Sequence, residues 1–328
     1  MPERKRDVSL HDVARLAGVG IGTASRVISG RGSVSEATRR KVEEAVSALN
    51  YRPNSLARAM RSDQSHIIAF MQPDLLNEFY DVSADVIHRA CVAAGYQMVI
   101  TSSLTAEEEW ESFRWLADYR IDGIIHVPLS PTLPLPVTMP IVQLNRVSAH
   151  RPINAVLADE RGGFDELTTY LLQQGHRDVL VIIGEEHHSS TQFRLQGVRD
   201  AVARYQDVRL RVSAGEFTRE WGYQAMNVAV EELPHAVIAS SPRIASGVIQ
   251  ALNEMELRVP EDISVVSFDD PDWFSFWGPG MTTLVPPLHD MSARAVDWLT
   301  RLIDGEEIAS DIVHLPCTLR IRGSVGNR

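Results

Sequence analysis

The chain has 328 residues, 44% of them hydrophobic, which is too long for one ordinary core and predicts two or three domains. No stretch approaches the roughly 18 consecutive apolar residues of a membrane span, and two cysteines give no disulfide framework or cysteine metal site. The net charge of −11 is unevenly distributed: residues 1–61 hold 12 Lys and Arg against 6 Asp and Glu, and the remainder holds 20 against 37. A basic segment on an acidic body is typical of a protein in which one part contacts a polyanion.

The opening residues, MPERKRDVSL, are basic, but no apolar run follows them, so a signal peptide is not expected. Cys91 and Cys317 are expected to be buried thiols in a reducing compartment. These features predict a cytoplasmic protein.

The first predicted element is a helix over SLHDVARLA, where apolar residues recur at three- and four-residue spacing and Ser9 with Asp12 resembles a capping box. The stretch GVGIGTASRVISG follows, and its alternating glycines suggest a phosphate-binding loop. A dinucleotide fingerprint needs a preceding strand and a third glycine where this chain has Thr23, and a P-loop needs Gly-Lys-Ser/Thr. Neither nucleotide motif is present.

The glycines instead predict a turn between two helices. Gly18 can adopt the positive φ that ends the first helix, Val19 packs inward and Gly20 caps the second helix. This second helix, roughly residues 21–28, is expected to bury Ala24, Val27 and Ile28. Its outward positions are Ile21, Gly22, Ser25, Arg26 and Ser29.

A third helix is predicted to begin at a Ser35 cap and to carry an apolar stripe at Val42, Ala45, Val46 and Leu49. Three short helices, with small polar residues and one arginine on the outer face of the second, predict a helix-turn-helix unit.

The segments DVARLAGVG, TASRV and LNYRPNSLARAM resemble the head of LacI/GalR family bacterial transcriptional regulators, over about the first sixty residues. The resemblance implies that the second helix enters the DNA major groove, where Arg26 reads a guanine edge. It further implies phosphate contacts that fix the register on DNA, from Thr23, Ser25, Tyr51 and Asn54.

Ile21 and Gly22 occupy the two positions by which family members usually distinguish operators. Isoleucine offers only an apolar contact and glycine offers no side chain. Specificity is therefore expected to rest more on Arg26, on Ser29 and on DNA shape.

Residues 54–64 are predicted to be a hinge helix or, alternatively, a plain interdomain linker. Residues 55–61 make barely two helical turns, too few to be stable alone in water. The resemblance implies folding on specific DNA, in the minor groove beside the same segment of a second subunit. Ala57 and Met60 would approach the central base step, and Arg58 would add positive charge.

From residue 66 onward, short β-branched runs such as HIIAFMQ, DVLVIIG and ISVVSFD alternate with helical stretches at 81–94, 107–119 and 161–174. This alternation predicts parallel sheets with helices on both faces. About 260 residues exceed one such sheet, so two similar lobes are expected, with a ligand crevice at the carboxyl ends of the strands.

The predicted organisation is an all-α helix-turn-helix head at 1–53, a hinge at 54–64 and an α/β two-lobed body at 65–328. The body contains two doubly wound parallel sheets, and the resemblance implies that it is of the periplasmic-binding-protein type. The first lobe is expected at about 65–158 and 290–317, and the second at about 159–289 and 318–328.

The resemblance also implies an effector pocket between the lobes, at Phe79, Tyr80, Asn145, Arg194, Phe217, Ser240 and Asp269. Polar groups around an aromatic face suit a sugar or sugar derivative. The alternative roles are packing in the core for the aromatic residues and a structural ion pair for Arg194. Family members commonly carry Asn-Asp where this chain has Ser240 and Ser241, and the shorter serine weakens a family-style sugar contact there.

Two acidic clusters raise an enzyme alternative. Adjacent histidines in EEHHSS (185–190) lack the spacing of a metal helix, and a solvated loop at the cleft edge is expected instead. The carboxylates of DDPD (269–272) would suit glycoside hydrolysis, but a turn beside the pocket explains them equally. No catalytic residue, cofactor or metal is predicted.

The sequence therefore predicts a homodimeric, sequence-specific DNA-binding repressor of a pseudo-palindromic operator, controlled by a sugar-like effector. One alternative is a regulator controlled by a protein partner or by no ligand, and another is a sugar-handling enzyme with a DNA-binding head. No leucine heptad follows the final strand, so a coiled-coil tetramer is not expected.

Overall fold

The structure, a computed structural model, describes residues 8–29, 33–51, 64–132, 138–148, 154–308 and 311–328. The chain divides into two compact units, Met1–Ser65 and His66–Arg328. The first unit is the head and the second is the body.

The described part of the head contains α1 (Leu10–Ala17), α2 (Ile21–Ser29) and α3 (Glu36–Ala48). Ser9 and Asp12 form the predicted capping box, and Gly18 ends α1 with a φ of 65°. Ser35 caps α3 by accepting a hydrogen bond from the backbone N–H of Thr38. The helix boundaries predicted from these local signals are confirmed.

The core of the head consists mainly of alanine and valine side chains. Val13, Ala24 and Val42 are fully buried, and Val27 and Ala45 pack with them. Such small side chains let three short helices approach closely around one core. The predicted inward face of α2 is confirmed.

The first lobe of the body contains a six-stranded sheet made of β1 (Ile67–Gln72), β2 (Gln97–Ser102), β3 (Gly123–His126), β4 (Ile141–Leu144), β5 (Asn154–Asp159) and β11 (Ile312–Pro316). All its strands are parallel, in the order β2-β1-β3-β4-β5-β11. Its helices are α4 (Glu78–Ala93), α5 (Ala106–Asp118) and α11 (Leu288–Ile303).

Side chains of β1 alternate between the two faces of this sheet. Ile68 and Phe70 belong to the core that includes α4 and α11, whereas Ala69 and Met71 pack with Phe113 of α5. Apolar residues on both faces are what a buried parallel sheet requires. The predicted helices on both faces are confirmed, although α4 begins three residues before the expected 81–94 because Asn77 caps it.

The second lobe repeats this plan with β6 (Asp178–Ile183), β7 (Arg209–Ala214), β8 (Ala236–Ala239), β9 (Ser264–Phe268), β10 (Thr282–Val285) and β12 (Thr318–Arg320). The strand order is β7-β6-β8-β9-β10-β12, and only β12 is antiparallel within these described strands. Its helices are α6 (Glu160–Gln173), α7 (Ser189–Val202), α8 (Arg219–Ala229), α9 (Pro242–Glu254) and α10 (Trp273–Phe276), with a 3₁₀ turn at Val230–Glu232.

The chain passes between the lobes at three points. It crosses where β5 ends at Asp159 and α6 begins at Glu160, again at residues 286–287, and again at Cys317 between β11 and β12. The two sheets therefore share the same strand order, and β4 of the first occupies the place of β9 in the second.

Both cysteines are free thiols. Cys91 is buried as expected, and burial raises the pKa of its thiol to about 11. Cys317 is only partly buried, because it lies at a crossing between the lobes rather than inside either sheet.

Candidate functional site

The outer face of α2 is exposed and carries little side-chain bulk. Ile21 is 39% exposed, Gly22 and Arg26 are exposed, and Thr23 and Ser25 are half-buried. The Nε of Arg26 donates to the carbonyl of Gly22 at 3.2 Å, which draws the side chain along the helix surface. A Cβ added to Gly22 would meet no atom within 4 Å. At Gly22, another molecule can therefore approach the helix as closely as the backbone allows.

Not every predicted DNA contact falls on the described residues. Tyr51 is described, half-buried and packed against the core of the head. The predicted contacts Asn54, Ala57, Arg58 and Met60 lie outside the described residues, as does the side chain of Ser29.

A narrow pocket lies between the lobes, at the carboxyl ends of their strands. The first lobe supplies Asn77, Phe79, Tyr80, Asn145 and Arg146. The second lobe supplies residues that include Ser190, Arg194, Phe217, Ser241 and Asp269. The free volume of the pocket is about 30 Å³. Ligand sites typically have a few hundred Å³, so the lobes must separate before a sugar-sized molecule can enter.

Asn145 and Asp269 hold equivalent positions in the two lobes. Each directly follows the fourth strand in chain order of its sheet, with a φ of 63° for Asn145 and 69° for Asp269. Asn and Asp are the side chains that best tolerate this left-handed conformation, which is concentrated at functional sites in proteins. The repeated geometry aims two polar side chains at the same cleft from opposite sides.

These two side chains are incompletely satisfied within the described residues. The Oδ1 of Asn145 is buried without a hydrogen-bond partner, and Oδ1 of Asp269 accepts only the backbone N–H of Asp270, at 2.9 Å. Burial raises the pKa of Asp269 to about 6. Buried polar atoms normally find partners, so unsatisfied ones facing a pocket indicate a ligand.

Arg194 is 3% exposed and is held by two strong contacts. Its Nη2 donates to Oε1 of Glu160 at 2.5 Å, and its Nη1 donates to the carbonyl of Ser240 at 2.6 Å. Because Glu160 lies at the first crossing between the lobes, this ion pair joins the pocket to the interlobe connection. The Nε of Arg194 has no partner among the described residues.

An aromatic platform completes the pocket. The guanidinium carbons of Arg146 and Arg194 lie 5.6 Å and 5.7 Å from the ring centroid of Phe217. That ring packs directly over Gly184, where an added Cβ would overlap it. Phe217 therefore sits against backbone, with two cations beside its ring.

Several polar contacts hold the lobes together around the cleft. Asp74 of the first lobe forms an ion pair with Arg243 at the start of α9. The backbone N–H of Val147 donates to Oγ of Ser189 at 3.0 Å. These bonds must break or rearrange when the cleft opens.

Comparison with known proteins identifies both units. Residues 9–54 match the model of bacterial regulatory proteins of the lacI family, and residues 168–325 match the periplasmic binding protein-like domain. The ribose operon repressor of Escherichia coli strain K12 is 31% identical over 330 residues, covering 96% of this chain and 99% of that protein.

The chain belongs to the LacI family of bacterial regulatory proteins. It is a DNA-binding transcriptional regulator, as the resemblance of its head predicts. The Lac repressor dimer, solved bound to operator and the anti-inducer ONPF, is 27% identical with a TM-score of 0.89, over 98% of this chain and 100% of that one. The regulator CelR, solved as a cellobiose complex, is 29% identical with a TM-score of 0.73, over 97% and 99%.

In this LacI-family protein, six of the seven predicted effector residues line one pocket: Phe79, Tyr80, Asn145, Arg194, Phe217 and Asp269. Ser240 is not among its lining residues; its side chain is fully buried, and its Oγ has no hydrogen-bond partner among the described residues. Ser241 lines the pocket instead and also caps α9 by accepting from Ile244 N. The serine predicted at the pocket is thus displaced by one residue.

The interpretation of EEHHSS as a solvated loop was wrong for its second half. His188 is 4% exposed and Ser190 is 1% exposed, because α7 begins there and the opposite lobe covers it. Burial lowers the pKa of His188.

Sequence analysis missed two charged residues of the site. Arg146 directly follows Asn145 in the same QLNR segment, so its position at a strand end was a usable signal. Glu160 gave no such signal, because its pairing with Arg194 spans 34 residues of sequence.

The described ranges contain no helix with the length and hydropathy needed to cross a membrane. They also contain no group of three His, Cys, Asp or Glu side chains placed to hold a metal ion.

Proposed function

We propose that this protein represses transcription as a homodimer that binds a pseudo-palindromic operator, and that a small sugar-like molecule in the cleft pocket controls its affinity for DNA. The Lac repressor dimer bound to operator and the CelR–cellobiose complex are its structural relatives, which supports both halves of the proposal.

The observation that carries the effector role is the convergence of unsatisfied polar atoms on one pocket. Asn145 Oδ1 and Arg194 Nε have no partner among the described residues, and Asp269 is held by a single backbone bond. A polyol offers donors and acceptors together, so its hydroxyl groups can satisfy all three side chains. Phe217 offers a ring face for the apolar side of a sugar.

The DNA-reading role is assigned to the outer face of α2. Arg26 is the only long polar side chain on that face and can bond a guanine edge bidentately, while Thr23 and Ser25 can reach phosphates. Tyr51, Asn54, Ala57, Arg58, Met60 and Ser29 remain proposals from the family resemblance.

Effector binding would change the separation of the lobes and thereby the DNA-binding state. A coupling of about 1–3 kcal/mol is the usual size of such a linkage. The Asp74–Arg243 pair and the Glu160–Arg194 pair are the contacts best placed to respond, since one spans the cleft and the other lies at a crossing between the lobes.

We also propose that the protein has no catalytic activity and acts in the cytoplasm, where bacterial DNA is. The ribose operon repressor, the Lac repressor and CelR are regulators, and the pocket residues are accounted for by binding.

Selection of duplexes from a random DNA pool by the full-length protein tests the DNA-binding half of the proposal. We expect a pseudo-palindromic motif, and Arg26→Ala should lose the enriched base at one position of each half-site. A variant that selects an unchanged motif would remove Arg26 from the reading face.

A thermal-shift screen against sugars, sugar phosphates, polyols and nucleosides tests the effector half. Asn145→Gly is the matched variant, because glycine keeps the left-handed backbone while removing the unpartnered amide. A compound that raises the melting temperature of the wild type but not of the variant would place the effector in the pocket. Equal shifts in both proteins would place it elsewhere.

A further inference from the structure

Arg146 is a buried cation to which no carboxylate of the described residues is directly paired. It is 8% exposed, and its polar contacts to the carbonyl of Pro128 and to Nε2 of His188 are both 3.5 Å long. Its Nε has no partner, and within the described residues no carboxylate lies at ion-pair distance from its guanidinium. An uncompensated charge is among the costliest groups to bury.

Arg194, which lines the same pocket, can be compared directly with Arg146. It is buried to a similar extent, yet its guanidinium has the carboxylate of Glu160 at 2.5 Å and the Ser240 carbonyl at 2.6 Å. The same pocket therefore contains one arginine that is paired directly with a carboxylate and one that is not.

No carboxylate pairs directly with Arg146, although Glu160, which is paired with Arg194, and Glu185 attract it from beyond ion-pair distance. The imidazole of His188 is either neutral or cationic, so it cannot supply a negative charge. Glu185 lies 3.5 Å from His188 and is engaged with it. The ring of Phe217 offers a weak cation–π contact at 5.6 Å, which falls short of a counter-ion.

We propose that Arg146 is the counter-ion for an anionic group, a carboxylate or a phosphate, carried by the small molecule that fills the cleft pocket. The inference rests on the effector site proposed above and narrows its ligand to an acidic or phosphorylated polyol. A neutral sugar would leave the guanidinium charge buried and unmatched.

The charges of the pocket also orient this ligand. Asp269 faces the cleft from the opposite lobe and is mostly ionised at pH 7. The anionic group is therefore expected at Arg146 in the first lobe, and the hydroxyl groups at Asp269 in the second. Such a molecule bridges the lobes by two different interactions.

The first test needs no ligand. Arg146→Met replaces the cation by an apolar side chain of similar length in the full-length protein, and Arg194→Met is the matched control. We expect Arg146→Met to raise the melting temperature by about 2–4 °C, because it removes an unmatched charge. Arg194→Met should lower the melting temperature, since it leaves Glu160 buried alone. A fall for Arg146→Met would show a structural role and overturn the proposal.

The second test compares glucose, gluconate and glucose 6-phosphate as probes at equal ionic strength, with inorganic phosphate as the minimal anion. We expect at least one anionic probe to bind the wild type, and its affinity to fall about 10- to 100-fold in Arg146→Met, the usual loss for a charge-assisted contact. Binding of gluconate would identify a carboxylate as the anionic group, and binding of glucose 6-phosphate would identify a phosphate.

The outcomes distinguish this inference from the effector site on which it rests. Glucose binding equally to wild type and Arg146→Met, with dependence on Asn145, would overturn the anionic ligand and keep the effector site. If no probe binds either protein, the ligand-free melting temperatures decide, with a rise for Arg146→Met supporting the inference and a fall overturning it.

Discussion

The outer face of α2 and the cleft pocket differ in how closely their residues are surrounded by the rest of the protein. On α2, Ile21 is 39% exposed and the space beside Gly22 is open. In the pocket, Asn145 is 7% exposed and Gly184 cannot accept a Cβ because the ring of Phe217 covers it. A substitution on the exposed face is therefore expected to change recognition with little effect on folding, whereas a substitution in the pocket changes both.

The largest effect is expected where the pocket contains a buried ion pair. Glu160→Gln removes the negative charge from the Glu160–Arg194 pair and should lower the free energy of unfolding by about 3 kcal/mol, because a buried guanidinium then lacks its partner. Urea unfolding measures this loss. The matched control is Asp200→Asn, which breaks the exposed pair with the neighbouring Arg161 and should leave the unfolding midpoint unchanged. Similar losses in both variants would contradict the comparison.

The second largest effect is a dependence of the free energy of unfolding on pH, which originates at Asp269. Burial raises its pKa from 3.8 to about 6, so the folded state favours the protonated carboxyl. Its stabilising contribution is complete below about pH 4 and is lost as the pH rises to 6, a fall of about 3 kcal/mol. Asp269→Asn should abolish that fall and unfold at higher denaturant concentration than the wild type at pH 7.

His176 changes the stability with pH in the opposite direction, and it is present in both the wild type and Asp269→Asn. Burial lowers its pKa to about 4, so its contribution is present above pH 6.5 and is lost as the pH falls towards 4. The difference between wild type and Asp269→Asn therefore isolates Asp269. Parallel stability curves for the two proteins from pH 4 to 7 would refute the assignment.

A smaller effect is expected at the ion pair that spans the cleft. Asp74→Asn should weaken lobe closure by about 1 kcal/mol, the upper range for a partly exposed pair, and so favour the open cleft. Small-angle scattering would report a larger radius of gyration. Asp85→Asn, which breaks a pair within α4 of one lobe, is the control and should leave the radius unchanged. Equal radii for all three proteins would remove this pair from the control of closure.

The smallest effect tests the exposed face. Gly22→Ala should stabilise the head by about 0.5–1 kcal/mol through helix propensity, because the added Cβ meets no atom. Gly18→Ala should instead destabilise it, since Gly18 has a φ of 65° at the end of α1. Thermal unfolding followed by helical circular dichroism compares the two. Selection from random duplexes should also show a changed base preference for Gly22→Ala and none for a variant in the pocket.

The sequence was a good guide wherever the signal is local. Ser9 with Asp12, Gly18 and Ser35 act within four residues of themselves, and the structure confirms each. The alternating burial of β1 and β6 is equally local, because neighbouring side chains point to opposite faces of a sheet.

The pocket was less predictable because its environment comes from distant segments. The burial of His188 depends on the opposite lobe, and Glu160 meets Arg194 only after the chain has crossed between the lobes. At Ser240 and Ser241 the strand end fixes which side chain faces the cleft, and a shift of one residue reverses the facing side. Residue type indicated the chemistry, but the fold decided the neighbours.

The third crossing between the lobes has a consequence for the order of folding. Residues 312–320 supply an edge strand to each sheet, β11 beside β5 and β12 beside β10. The pairing of β11 with β5 closes a loop of more than 150 residues, as in the contact between Asp311 and Asn154, which are 157 apart. Such long closures are entropically costly and slow. During synthesis, both sheets therefore remain one strand short, with an open edge, until the same short segment leaves the ribosome.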